Sequence, residues 1–428
     1  MKPFLSWRKL GRLVVPGVGI AAVAAAAYTV VEEVRSSRWQ ARQLSQISSE
    51  LGFELQPGAT DQVRYPGDGP YDLRLGYTQL PLFIDRLQRQ GYTVQAQARM
   101  SPRMVELADH GLFPTYHEKN QGGLELLDCR AQPMFATRYP QRVYDGFDAV
   151  PPLLVQALLF IENRELLDAA APQRNPAVEW DRLGKAALSL GLRLVGDSGR
   201  SPGGSTLATQ IEKYRHSPEG RTDGVKDKLR QMASASLRAY IDGPDTLARR
   251  KQIVADYINT VPLAARPGFG EVNGLGDGLW VWYGRDFDEV NRLLTDTGED
   301  PRPELLAQQA LAFKQALSLM ISQRRPSHYL IEADSGLEDL TNSYLRLLGD
   351  AGLISPALRD AALPLTLTLQ SQAAPRAPQQ SFVDRKAATT LRTRLSAMLD
   401  VPRAYDLDRI DLRARATLDT PVQRTATE

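Results

Sequence analysis

The sequence predicts a mainly α-helical protein with a small α+β region before the helices and a single transmembrane helix at its N-terminus. Three observations carry that expectation. Leu13 to Val31 is a run of 19 residues without a charge, residues 32 to 145 hold short elements of mixed period, and from Val150 one helical pattern follows another.

The uncharged run is preceded by Lys2, Arg8, Lys9 and Arg12 and followed by Glu32 and Glu33. About 20 apolar residues span the hydrocarbon core of a bilayer, and basic flanks favour the cytoplasmic side. Residues 1–31 therefore read as a cytoplasmic tail and anchor, with the rest of the chain outside. A cleaved signal peptide is the competing reading, since Ala24 to Ala27 offers small residues to a peptidase, but the run exceeds a signal peptide's apolar segment. Both export the same domains.

Arg35 to Leu51 is polar with helical spacing. Leu80 to Leu87 is again helical in period, whereas Tyr92, Val94, Ala96 and Ala98 alternate as in a strand, and Leu124 to Tyr139 reads as a strand or hairpin. Residues 32–145 are thus expected to form a small α+β pedestal. Helices are expected at 150–167, 178–195, 206–215, 225–240, 246–259, 303–322 and 337–351 within a helical domain spanning 146–368. A Pro, Gln, Ser and Ala-rich stretch at 369–381 reads as a linker. A helix at 382–399 and a strand at 411–418 are expected within the last segment, 382–428.

The charge balance, 52 basic against 50 acidic residues and a net +2, argues against nucleic acid as a partner. With 43% hydrophobic and 24% charged residues, the chain can build a core. The one cysteine, Cys129, excludes an intramolecular disulfide framework or a thiolate zinc cluster. The four histidines, His110, His117, His216 and His328, form no H-E-x-x-H motif.

Ser201 to Lys213 reads Ser-Pro-Gly-Gly-Ser-Thr-Leu-Ala-Thr-Gln-Ile-Glu-Lys. Gly203 and Gly204 let the backbone turn tightly, and Ser205 or Thr206 can cap a following helix whose free N–H groups favour a phosphate. A plain glycine turn with an N-cap fits the same residues. Glu162 falls on the apolar stripe Val155, Leu158, Leu159 and Leu166, where a cleft would make it a general acid or base. Pairing with Arg164 or solvent is the simpler alternative. Lys226, Lys228 and Arg230, then Arg249, Arg250 and Lys251, give basic clusters on successive helices that suit a diphosphate or only a solvated face.

Taken in order, Glu162-Asn-Arg, Gly203-Gly-Ser-Thr-Leu-Ala-Thr-Gln210, Lys228-Leu-Arg-Gln231 and Arg250-Lys-Gln-Ile-Val-Ala-Asp-Tyr-Ile-Asn259 resemble the motifs of glycosyltransferase family 51. This is the peptidoglycan glycosyltransferase domain of class A penicillin-binding proteins and monofunctional transglycosylases. Gly274 to Gly284 resembles a further family segment. The resemblance covers about residues 146 to 365. It implies a mainly α, lysozyme-like fold with a membrane-embedded jaw, and polymerisation of lipid II, an undecaprenyl-diphosphate disaccharide, into glycan strands. By that resemblance Glu162 is the general base for the acceptor 4-hydroxyl and Gln231 stands at the second catalytic position. Arg164, Gly203, Gly204, Ser205, Thr206, Gln210, Lys213, Lys228, Arg250 and Asn259 match substrate-binding positions. A divalent cation, Mg²⁺ or Mn²⁺, at the leaving pyrophosphate belongs to the same expectation, although the sequence displays no ligand set for it. The expected partners are lipid II or a related polyprenyl-diphosphate glycan, the membrane and cell-envelope proteins. The expected location is the inner membrane, single-pass, with the C-terminal domains in the periplasm.

The departures are specific. Asn163 stands where the family has aspartate, Leu166 where it has phenylalanine, Ala169 where it has histidine, Gln231 where it has its second glutamate, and Ala255 where it has another, with Asp256 adjacent. Extra residues fall around Ile241 to Pro244. A glutamine hydrogen-bonds but carries no charge, and one lost electrostatic stabiliser costs a factor of about 10² to 10³. Asp411 to Gln423 resembles the strand leading into a transpeptidase domain. No Lys-Thr-Gly or Ser-x-Asn follows it, so no penicillin-binding domain is expected. Two alternatives stand beside polymerisation. One is an impaired relative that binds polyprenyl-diphosphate glycan or scaffolds an envelope assembly. The other is a lysozyme-like lytic enzyme using Glu165 or Asp168 as second carboxylate.

Overall fold

The computed structural model describes residues 24–180, 205–295, 302–332, 336–370 and 382–425. Most of the expected anchor, most of the expected helix 178–195, and Gly203 and Gly204 lie outside the described residues. Among those described, no helix is long and apolar enough to cross a membrane.

A helix at 24–36 breaks at Ser37, which is buried in a left-handed conformation (φ 53°), and the chain resumes as the helix Arg38–Ser49. Strand β1 (Phe53–Pro57) pairs antiparallel with β2 (Ala96–Met100), Phe53 facing Met100. The alternation expected from Tyr92 is realised only from Ala96. Met100, Met104 and Leu51 form a small core with Leu237 of the helix Val225–Ala239, so the first helices pack on the helical domain. Ser48 Oγ donates to the Leu237 carbonyl at 2.8 Å.

The second sheet explains how the chain is organised. Strands β3 (Leu124–Leu127) and β4 (Pro133–Ala136) form an antiparallel hairpin, and the strand Leu412–Arg415 joins β3 in parallel, Leu124 facing Leu412. The whole helical domain is the connection between β4 and the strand Leu412–Arg415. Parallel neighbours need a crossover, and here the crossover is a domain. Phe83, Leu124 and Leu126 pack against Leu399, Leu407 and Ile410, so the C-terminal segment completes the pedestal's core.

The main core surrounds the helix Pro303–Ser322. Ala310, Ala312, Ala316, Ser318 and Ser322 are small enough for neighbouring helices to approach, and Phe313, Leu317 and Ile321 fill the spaces between them. Its buried Lys314 donates to the carbonyls of Leu363 and Leu365, tying down the end of the domain. The helix Pro152–Glu162 packs against it and stops five residues short of the expected end. Asn163 leaves the helical region (φ −160°) and turns follow.

Candidate active site

Glu162 closes its helix with its side chain 8% exposed. Its apolar neighbours Val155 and Leu158 are buried in the core, and the carboxylate emerges where the helix ends. Gln210 Nε2 donates to Oε2 at 2.7 Å, Gln323 Nε2 donates to Oε1 at 3.0 Å, and Arg324 Nη2 stands 3.6 Å from Oε1. Tyr257 donates its hydroxyl to Gln210 Oε1 at 3.3 Å, which fixes the orientation of the amide and directs its NH₂ at Glu162. Arg164 is not the partner of Glu162. Its guanidinium stacks on the Phe160 ring at 4.0 Å.

Thr206 and Thr209 close a capping box that starts the helix Leu207–His216. Gln210 and Lys213 follow at a spacing of three, which places them on one face. Burial pulls the Lys213 ammonium below its ordinary range while the charge of Glu162 opposes the shift. Lys228 Nζ donates to Ser205 Oγ at 2.6 Å; burial, and then repulsion from Lys213, push Lys228 down to about 8. Glu162, Gln210, Lys213, Lys228 and Ser205 thus form one electrostatic cluster, with cations gathered next to a held carboxylate.

Three sequence-selected residues lie elsewhere in chemical terms. Arg250 is fully buried and donates to the carbonyls of Leu166, Asp168, Ala171 and Pro172 at 2.8 to 3.3 Å, so it props the loop after Glu162. Asn259 bonds both backbone groups of Tyr144 at 2.8 Å and fixes the chain entering the domain. Gln231, 1% exposed, donates to Ser217 Oγ at 2.9 Å and Thr222 Oγ1 at 3.0 Å. Asp256, beside Ala255, accepts from Asn120 of the pedestal and from Gln252 of its own helix.

The Gly274 to Gly284 segment is also structural. Gly274 has φ +80°, and a Cβ there would collide with the Asn259 backbone; a Cβ on Gly276 would meet Arg142. Asp277, on the same helix, accepts from the Gln141 and Arg142 amides at 2.7 and 3.1 Å.

A divalent cation does not fit these residues. Among the described residues no group of three or more His, Cys, Asp or Glu side chains could hold one, and the Gln231 amide is engaged by hydroxyls. Of the carboxylates near Glu162 in sequence, Glu165 binds Arg174 at 2.6 Å and Asp168 Oδ1 accepts from the Ala170 amide.

Sequence reasoning missed Gln323, Arg324 and Tyr257. The polar pair directly after the apolar helix Pro303–Ser322 is a helix-end signal, but nothing local says that it faces a carboxylate 161 positions earlier.

No curated protein sequence matches the chain. A family model described as Transglycosylase matches residues 131–348, slightly more than half of the chain. Its match contains Glu162, the capped helix with Gln210 and Lys213, Lys228 and the Gln323–Arg324 pair, and the chain belongs to the transglycosylase family.

Proposed function

We propose that this transglycosylase polymerises lipid II into glycan strands at the outer face of the inner membrane, with Glu162 as general base. The observation that carries the reading is the Glu162 carboxylate, held by Gln210 and Gln323 beside the cations Lys213 and Lys228. The acceptor 4-hydroxyl gives its proton to Glu162 as its oxygen bonds to the donor's C1. The C1–O bond to the diphosphate breaks, and the diphosphate leaves with its negative charge towards Lys213 and Lys228. Exposed Tyr28, Val30, Val31, Val225 and Leu229 support membrane contact. The direct test is polymer formation from labelled lipid II by the full chain and its Glu162→Gln variant.

A second reading, binding without turnover, is favoured by one observation. The position of the second catalytic glutamate is a neutral Gln231 bonded to Ser217 and Thr222. Polymer from Gln231→Glu but not from wild type would select it.

A further inference from the structure

Between the end of the N-terminal helix and the loop that begins at Asn163, directly after Glu162 in the chain, lies an open hollow of about 700 Å³. One wall is Asn163 to Leu166 with Arg174 to Pro176 and Val178 to Trp180. The opposite wall is Val34, Arg35 and Ser37, outside the part of the chain that matches the family. Lys213, Lys228 and Ser205 do not line it.

The N-terminal wall is held in place by specific bonds. Ser37 is buried with a left-handed backbone, and the Glu33 carboxylate accepts from the amides of Trp39 and Gln40 at 2.8 and 3.0 Å and from Gln40 Nε2 at 3.0 Å. Gln40 Oε1 accepts from Asn175 Nδ2 at 3.0 Å, and Asn175 itself lines the hollow. The kink at Ser37 is therefore docked on the catalytic domain, and Arg35 is presented to the hollow by a fixed helix end.

Among the described residues, the charges lining the hollow are Arg35, Arg164, Arg174, Glu165 and Glu179. Arg174 is paired with Glu165 at 2.6 Å. Among the described residues neither Arg35 nor Arg164 has a carboxylate partner, and the only hydrogen bond of Arg164 there runs from Nε to the Phe160 carbonyl at 3.4 Å. Guanidinium groups with open donors are suited to phosphate oxygens. Arg35 comes four residues after the uncharged run ending at Val31, about 6 Å of helix. A phosphate borne by a membrane lipid arrives at that level.

We propose that this hollow is a second phosphate-binding site, closed by Arg35 of the N-terminal helix with Arg164 of the catalytic domain, for the phosphate of a membrane-borne lipid. Its chemistry stands on the hollow alone; the membrane source rests on the anchor reading above. The full chain in neutral detergent is titrated separately with undecaprenyl diphosphate, phosphatidylglycerol and inorganic pyrophosphate, as wild type, Arg35→Gln and Arg35→Lys. Arg35→Gln is expected to weaken undecaprenyl diphosphate about tenfold, with Arg35→Lys recovering part of the loss. A loss seen with phosphatidylglycerol alone supports the site and assigns it to phospholipid headgroups. A loss confined to inorganic pyrophosphate overturns the membrane-borne source. Unchanged binding of all three probes by an Arg35→Gln chain that melts like wild type overturns the site. Binding by a wild-type chain that makes no polymer would sink the proposed reaction and leave the site standing.

Discussion

Glu118 of the pedestal lies 2.7 Å from the Arg238 guanidinium of the helical domain, with the glutamate side chain 6% exposed. The same carboxyl group binds Arg215 and His216, and Asp72 takes the other ring nitrogen of His216 at 2.8 Å. Burial works against the Glu118 carboxylate, but Arg238, His216 and Arg215 together hold it well below the usual range. Without the pedestal, the buried Arg215 and His216 would lose the carboxylates they are bonded to, and Arg238 would keep only Glu212. The small region is part of the catalytic unit's core.

Glu118→Gln should therefore destabilise the full chain by about 3–5 kcal/mol, the cost of breaking a buried ion network from one side. Denaturant unfolding measures it. An unchanged midpoint would mean that the cations are satisfied elsewhere.

The same network sets a pH dependence. Burial opposes the His216 imidazolium, yet Glu118 and Asp72 outweigh it and raise the group from 6.5 to about 9. A raised folded value makes the contribution complete below pH 6.5 and lost as pH climbs through 9, on the order of 3 kcal/mol. His216→Gln should flatten the stability profile between those two values. Profiles that stay parallel across that window would remove His216 as the cause.

In the proposed reaction Gln323 acts through Glu162, to which it donates at 3.0 Å. Gln323→Ala should lower kcat for lipid II polymerisation about tenfold with little change in KM and should shift the pH–rate profile, while Gln323→Asn keeps part of the effect. A change in KM alone would place Gln323 on the substrate instead.

Arg250 and Lys213 separate structure from binding. Arg250→Met takes the side-chain donor from the buried carbonyl contacts at Leu166 and Ala171 and should cost about 3 kcal/mol of stability. Lys213→Ala should leave the melting temperature near wild type and weaken diphosphate binding about tenfold. The reverse pattern would make Arg250 the ligand.

What the sequence disclosed followed from local chemistry. The capping residues Thr206 and Thr209 and the period of the helix Pro303–Ser322 are local signals, and Glu162 stands out as a candidate through a local stripe plus an ordered resemblance. Long-range pairing left no such trace. The parallel partnership of Leu124 with Leu412 joins two ends of the chain, and the approach of Gln323 to Glu162 depends on two helices crossing. Arg250 misled for the opposite reason. A basic residue in a basic cluster looks like a phosphate ligand, and only burial against the 166–172 carbonyls reveals a strut. Gln231 was legible as a lost charge, but its hydroxyl partners Ser217 and Thr222 were not.

The central claim is that Glu162 takes the proton from the acceptor. Labelled lipid II incubated with the full chain in detergent, with the products separated by size, tests it most directly. The account predicts polymer from wild type and a loss of about 10²- to 10⁴-fold in Glu162→Gln, whose stability and lipid II binding stay near wild type. Equal polymer from both chains would contradict it.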